Sequence, residues 1–266
     1  MVKKLIKYDF KAFGKIMFPA YVVLLGVAAL YRFVSIFENN TTYYSIFNGS
    51  AISIVVISVI VCAVMTVIVS IVRFYKGLYT AEGYLSFTLP VTPSAHICSK
   101  LIVSLIFDAL TAVVSFLVLA ITTAGELFVE IIKAALYQMK DVLVRIGGQS
   151  PLYVIEIILL TIVAAATAHL LMFMCISIGQ IAKKHKILAA LGIYFAIYVV
   201  KQILGTVFLA SGVTSNFFID LTEFISKHTH SFFHLFFCGL LVLEAVFGAL
   251  YFIITRLMMK KHLNLE

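Results

Sequence analysis

The sequence contains few charged residues for its length. Only 12% of its 266 residues are Asp, Glu, Lys or Arg, whereas a soluble globular domain carries about 25%. The apolar set AVILMFWYC makes up 63% of the chain, which is more apolar surface than one core of this length can bury. The composition therefore excludes a water-soluble globule and indicates that the surplus apolar surface faces lipid.

Proline, cysteine and catalytic motifs are also scarce. With 4 prolines and 14 glycines, the composition is not that of a disordered or collagen-like chain. The 4 cysteines, Cys62, Cys98, Cys175 and Cys238, have no CxxC or Cys/His ligand spacing, so no disulfide scaffold or zinc site is predicted. The G-x-x-x-x-G-K-[ST], H-E-x-x-H and G-x-S-x-G patterns are absent as well. We therefore predict no catalytic residue and no metal site in this chain.

Six stretches are long and apolar enough to cross a bilayer, which takes about 20 residues. They lie at about 16–37, 51–72, 101–124, 152–180, 187–210 and 232–257. Most Lys and Arg residues precede the first stretch, follow the last, or lie between the second and third and between the fourth and fifth. The positive-inside rule then predicts an all-α, multi-pass protein of the cell membrane with both termini cytoplasmic. The basic charge is expected to meet anionic lipid rather than nucleic acid.

Three segments outside the spans are amphipathic. Residues 1–17 carry lysines on one side and apolar residues on the other, so we expect a helix in the cytoplasmic interface that turns into the membrane near Pro19. Asp9, away from those lysines, is interpreted as a solvated acid rather than as the partner of a neighbouring segment. On the outer side we predict an amphipathic helix within 125–150 and a short re-entrant or interfacial helix within 211–231.

The most distinctive stretch lies between the second and third spans, at residues 73–94. It is rich in aromatic residues, namely Phe74, Tyr75, Tyr79, Tyr84 and Phe87. Gly77 and Gly83 are expected to interrupt any long helix here, and Thr92-Pro93 to begin the next one. Many aromatic residues with few charges favour a protein-contact surface, and the same side chains would also suit the headgroup belt of the membrane.

Among the acidic and basic residues of the predicted spans, Asp108, Lys201 and Glu244 lie deep inside, while Glu156 and Arg32 lie nearer the outer boundary. An ionisable group at mid-bilayer costs about 2.5–3.5 kcal/mol on insertion scales, so it needs a partner or water. Lys201 and Glu244 lie at similar depth, which predicts either a structural ion pair or contacts with a transported ion or substrate. Small and polar residues recur at helical spacing beside Asp108 and along the second span, a pattern typical of helix packing.

The lysine-rich start, the six spans and the block at residues 74–91 resemble the membrane subunits of type-2 ABC exporters from Gram-positive bacteria. Only residues 82–91 are specific to that family as sequence. The resemblance implies one permease domain over 1–266, with an interfacial helix at 1–17 and a cytosolic coupling segment at 73–100 that docks on a separate ATPase chain. It implies ATPase contact for these residues: Tyr75, Lys76, Tyr79, Glu82, Gly83, Tyr84 and Phe87.

The same resemblance implies that ATP and Mg²⁺ are held by the partner ATPase, and that no cofactor binds this chain. It further implies pairing with a second permease chain, as a homodimer or heterodimer, and export of a cargo such as an antimicrobial peptide, a drug or a lipid. The residues themselves leave two alternatives open. One is a secondary transporter or channel that works without an ATPase and uses Asp108, Lys201 and Glu244 as its ion sites. The other is a membrane scaffold that transports nothing.

Overall fold

The protein is described by a computed structural model over residues 2–35, 42–80, 82–83, 91–123, 126–145, 150–182, 184–214, 223–224, 227 and 229–261. These residues form long helices and include no strand. The helices are α1 (Val2–Ser35), α2 (Thr42–Tyr79), α3 (Pro93–Thr122), α4 (Glu126–Arg145), α5 (Ser150–Gly179), α6 (Lys186–Thr214) and α7 (Thr229–Lys261). All except α4 are long and apolar enough to cross a membrane. The predicted all-α, six-span membrane fold is confirmed.

The chain divides into two compact units, Met1–Tyr137 and Gln138–Glu266. In the first unit α1, α2 and α3 each pack on the other two, and in the second unit α5 packs on both α6 and α7. The boundary falls inside α4, which is the amphipathic helix predicted within 125–150. The segment predicted at 211–231 lies largely outside the described residues, and its two ends belong to α6 and α7.

Helix α1 is continuous through Pro19 over 34 residues, so the predicted turn at that proline is wrong. A proline inside a helix removes one backbone donor, and packing on both sides of it offsets that loss here. Phe13 and Met17 before the proline and Tyr21 after it are all buried. Phe13 stacks on Phe107 of α3 with the ring centroids 4.3 Å apart. The residues expected to lie in the membrane interface are therefore part of a helix bundle.

Helix α2 is 38 residues long, about 57 Å at 1.5 Å per residue, whereas the hydrocarbon core of a bilayer is about 30 Å thick. It continues through Gly77, which was expected to interrupt it. The glycine makes room for α3, since a Cβ at this position would lie 2.6 Å from Nζ of Lys100. Helix α3 begins at Pro93 after Thr92, as predicted. The Thr92 carbonyl accepts the N–H of Ala95 at 2.9 Å, while its side chain makes no capping hydrogen bond.

Hydroxyl groups join the three helices of the first unit. The hydroxyl of Thr111 on α3 lies 2.7 Å from that of Tyr21 on α1 and 2.8 Å from that of Thr66 on α2. Nearer the lysine-rich end, one turn along α2 and two turns along α3, the hydroxyls of Ser70 and Ser104 are 2.5 Å apart. The polar stripes predicted on the second and third spans are thus confirmed as helix-packing faces.

The second unit depends on close backbone approach as well as on polar contacts. A Cβ on Gly179 at the end of α5 would meet the backbone nitrogen of Ala190 at 2.8 Å and the carbonyl oxygen of Lys186 at 2.9 Å. Near the middle of α5, the Thr167 hydroxyl donates to the carbonyl oxygen of Glu244 on α7 at 3.0 Å. The turn between α5 and α6 and the crossing of α5 with α7 both require small residues, because a bulkier side chain would separate the backbones.

Candidate functional site around the 73–100 segment

The 73–100 segment starts in the last two turns of α2 and ends in the first two turns of α3. Directly after α2, the N–H of Gly83 donates to the carbonyl oxygen of Thr80 at 2.7 Å. The chain returns to the bundle through a helix that begins at a proline.

The two helical flanks of the segment are packed inside the first unit. Phe74 and Leu78 are 0% exposed and Tyr79 is 1% exposed, and the rings of Phe74 and Tyr79 lie 6.1 Å apart. On the α3 side, Ile97 is also 0% exposed. Tyr79, to which the resemblance assigned a contact with the ATPase, is thus buried within the first unit. Because α2 continues through Gly77, helical spacing turns residues 74 and 78 to the same inner face.

An ion pair joins the α3 flank to α1. Lys100 Nζ lies 3.2 Å from a carboxylate oxygen of Asp9, with the lysine side chain 9% exposed and the aspartate side chain 21% exposed. The Ser99 hydroxyl donates to the other carboxylate oxygen at 2.7 Å. Asp9 is thus not the solvated acid that the sequence suggested. Its two oxygens bind the lysine-rich third of α1 to the first two turns of α3, where the segment ends.

A second polar contact joins the α2 flank to the same part of α1. The Arg73 guanidinium donates to the backbone carbonyl oxygen of Ala12 at 2.8 Å. Residues 9 and 12 are one turn apart on α1, so both flanks of the 73–100 segment are held by neighbouring positions of one helix. Gly77 completes the arrangement because its missing side chain lets the Lys100 ammonium lie against α2.

The remaining residues assigned to ATPase contact differ in their exposure. Lys76 and Glu82 are exposed, Tyr75 is half-buried and Gly83 is buried. Tyr84 and Phe87 lie outside the described residues. The exposed residues of this set are therefore charged, whereas the described aromatic residues of the segment are buried or half-buried.

The intramembrane charges are arranged differently from the sequence prediction. Asp108 is half-buried on α3 in the first unit. Lys201 and Glu244 both belong to the second unit, but the structure records no ion pair between these two described residues. The Lys201 ammonium lies instead 5.2 Å from the ring centroid of Phe247 and 5.6 Å from that of Tyr251. The predicted structural ion pair is replaced by a cation–π contact to α7.

Sequence reasoning missed a polar cluster between α5 and α7. Nδ1 of His234 lies 2.7 Å from a carboxylate oxygen of Glu156, and the His234 ring stacks on Tyr153 at 4.2 Å between centroids. Glu156 and His234 lie near the N-terminal ends of the fourth and sixth predicted spans, which both run from the outer to the inner side. Their similar depth in the membrane is the feature of the sequence that indicates such a contact.

Comparison of the chain with models of known protein families, with curated protein sequences and with solved structures finds no match. The functional conclusion therefore rests on the residues and their geometry, together with the family resemblance of the sequence, which is specific only over residues 82–91.

Proposed function

We propose that this chain is the membrane subunit of an ATP-driven exporter of the type-2 ABC class. In this proposal both termini face the cytoplasm, and the exposed part of the 73–100 segment binds a separate ATPase that holds ATP and Mg²⁺. One observation carries the proposal. Both flanks of the segment are fastened by buried or half-buried contacts to α1, while Lys76 and Glu82 at its described surface remain exposed.

The packing suggests how force on the segment would reach the membrane. A flexible loop would absorb a displacement of a bound partner, because its own backbone would bend. Here the flanks are continuous with α2 and α3, and Asp9 and Ala12 link them to α1. A displacement of the segment would therefore move the cytoplasmic ends of three helices together and change their tilt, which is how access to a path at an interface with a second permease chain would be switched.

The proposal is tested by purification of the full-length tagged chain from its native membrane. An ATPase chain with a phosphate-binding loop is expected to co-purify. The charge reversals Lys76→Glu and Glu82→Arg should each reduce the recovered ATPase at least about fivefold, which corresponds to about 1 kcal/mol at the interface. The matched control is Lys184→Glu, since Lys184 is an exposed lysine in another connection of the chain.

Two results would overturn the proposal. One is a chain that purifies without any ATPase under conditions that preserve membrane complexes. The other is transport activity that survives Glu82→Arg and is abolished by Lys201→Met or Glu244→Gln. That pattern would favour the alternative, a transporter or channel that works without an ATPase.

A further inference from the structure

The N-terminal ends of α5 and α7 carry a pair of side chains that the proposed function does not use. Nδ1 of His234 on α7 lies 2.7 Å from Oε1 of Glu156 on α5. The histidine side chain is 25% exposed and the glutamate side chain is 19% exposed. The pair is therefore mostly covered by protein, and an ion from the solvent can still reach it.

The contact leaves one polar atom on each side chain without a partner. Oε2 of Glu156 and Nε2 of His234 are both buried and have no hydrogen-bond partner among the described residues. A buried polar atom without a partner lowers the stability of a fold. Two such atoms on touching side chains therefore point to a bound ligand that supplies the missing interactions, such as a water molecule or an ion.

An aromatic contact holds the imidazole of His234 in place. The imidazole stacks on the ring of Tyr153, with the centroids 4.2 Å apart and an interplanar angle of 8°. Tyr153 is itself 1% exposed, and its ring contacts that of Phe237 edge-on at 6.4 Å. The imidazole is therefore restricted before any ligand binds, which reduces the entropy cost of binding.

The sequence supplies a second histidine on the same helix. His230 precedes His234 by four residues within α7, so the two positions lie on one face, one turn apart. This is the spacing with which two histidines of a helix bind one zinc ion. Among the side chains that the structure describes, no third His, Cys, Asp or Glu joins the pair. Position 230 is therefore the candidate for a third ligand.

The donor atoms favour a transition metal over Mg²⁺ or Ca²⁺. Zn²⁺ binds imidazole nitrogen and carboxylate oxygen at about 2.0–2.2 Å, whereas Mg²⁺ and Ca²⁺ take oxygen ligands. At these bond lengths two ligands of a tetrahedral ion lie about 3.4 Å apart, so the 2.7 Å between Nδ1 and Oε1 would have to widen by less than about 1 Å. The cysteines, whose spacing predicted no zinc site, are not needed for this set of ligands.

We propose that Glu156, His234 and His230 bind one divalent transition-metal ion of the Zn²⁺ type. The ion joins the N-terminal ends of α5 and α7 and acts as a structural ligand of the second unit. Its positive charge compensates the Glu156 carboxylate close to the boundary of the predicted span, where an uncompensated charge is costly. The site requires neither an ATPase nor transport, so it is independent of the exporter proposal.

The test uses the full-length chain, purified in detergent with a tag that contains no histidine and then stripped of metal with EDTA. Isothermal titration calorimetry with Zn²⁺ should show one ion per chain, and Mg²⁺ at the same concentration should not bind. Glu156→Gln, His234→Ala and His230→Ala should each weaken Zn²⁺ binding at least about tenfold, since even the outer partners of a metal site contribute about 10–100-fold.

Two variants serve as matched controls and should bind Zn²⁺ as the wild type does. His185→Ala removes an exposed histidine from the connection between α5 and α6. Cys238→Ser removes an exposed cysteine one turn after His234. The melting temperature gives a second readout, because Zn²⁺ but not Mg²⁺ should raise the Tm of the wild-type chain. This readout needs no variant and therefore holds even if a substitution prevents folding.

Four results would overturn the proposal. The first is a wild-type chain that neither binds Zn²⁺ at one ion per chain nor gains Tm from it. The second is binding that Glu156→Gln and His234→Ala leave unchanged. The third is a control variant that weakens binding as much as the ligand variants do, because the ion would then lie elsewhere. The fourth is wild-type affinity in His230→Ala, which would contradict the three-residue site.

Discussion

The two units of the chain place their ionisable contacts at opposite ends of their helices. In the first unit, Asp9, Lys100 and Arg73 join the helices at the lysine-rich end. In the second unit, Glu156 and His234 join α5 and α7 at the end away from the lysines, and the lysine-rich turn is held by the close approach at Gly179. At its lysine-rich end, which carries the 73–100 segment, the first unit is therefore held together by charged contacts. At its own lysine-rich end, the second unit is held together by close steric fit.

The largest effect is expected from Lys100→Met, which removes the charged contact of the first unit. It leaves the Asp9 carboxylate without its cation, and breaking a fully buried ion pair costs about 3–5 kcal/mol. Because Asp9 keeps 21% exposure, we expect a loss of about 2–3 kcal/mol, seen as a lower Tm in detergent. Lys184→Met is the exposed control. The double variant Asp9→Asn, Lys100→Met should recover part of the loss, and strictly additive losses would contradict the pairing.

Gly179→Ala tests the steric contact of the second unit. The new methyl group would lie 2.8–2.9 Å from backbone atoms of α6, and backbone cannot move as a flexible side chain can. Overpacking of this kind costs about 1–3 kcal/mol, again measured as a lower Tm. Gly192→Ala is the matched control, because nothing lies within 4 Å of the added Cβ. If both variants behave alike, the close approach does not hold this turn together.

Gly77→Ala should sharpen the contrast between the units. Its Cβ would meet only the end of the Lys100 side chain at 2.6 Å, which can move at the cost of its contact with Asp9. The gain in helix propensity of about 1 kcal/mol offsets part of that loss. We therefore expect a smaller decrease in Tm than for Gly179→Ala, and none when Gly77→Ala is combined with Lys100→Met. An equal decrease in both backgrounds would show that the glycine acts independently of Lys100.

Glu156→Ala tests the charged contact of the second unit. Polar contacts between membrane helices contribute about 0.6 kcal/mol on average, so the loss should be near that value and smaller than for Lys100→Met. Glu223→Ala is the control, since Glu223 pairs with Lys227 at an exposed position. If Glu156→Ala lowers the stability as much as Lys100→Met does, charged contacts stabilise the two units equally and the contrast between them does not hold.

An effect of similar size, measured as a coupling energy, concerns Lys201. A double-mutant cycle with Phe247→Leu should give a coupling of about 0.5–1 kcal/mol, the range for a cation–π contact at an exposed site. The corresponding cycle of Lys201→Met with Glu244→Gln should give a coupling near zero. A coupling to Glu244 larger than that to Phe247 would restore the predicted ion pair.

Features that depend on local sequence were predicted correctly, whereas features that depend on contacts with another helix were not. The six spans and the start of α3 at Pro93 were predictable, because they depend on local composition and on one residue's backbone geometry. The hydroxyl stripe through Thr66 was also predictable as a packing face. The continuity of α1 through Pro19 was not, since it depends on the burial of Phe13 against another helix.

The candidate site shows the same division. Its location between the second and third spans was evident from the aromatic residues, but the burial of two of them was not predicted. Phe74 and Tyr79 are buried, and α2 continues two residues past Gly77, which was expected to interrupt it. The contacts of Asp9 with Ser99 and Lys100 join positions about 90 residues apart, and no local pattern identifies the partner across that separation.

By itself the sequence determined that this is a six-span helical membrane protein, because hydrocarbon cannot hydrogen-bond the backbone and so requires long apolar helices. It also determined which helix faces are polar. Only the tertiary structure decided which faces meet, and it paired Lys100 with Asp9 and Glu156 with His234 while turning Lys201 toward aromatic rings. The physical reason is that lipid is as apolar as the helices, so local fit and hydrogen bonding select the neighbours.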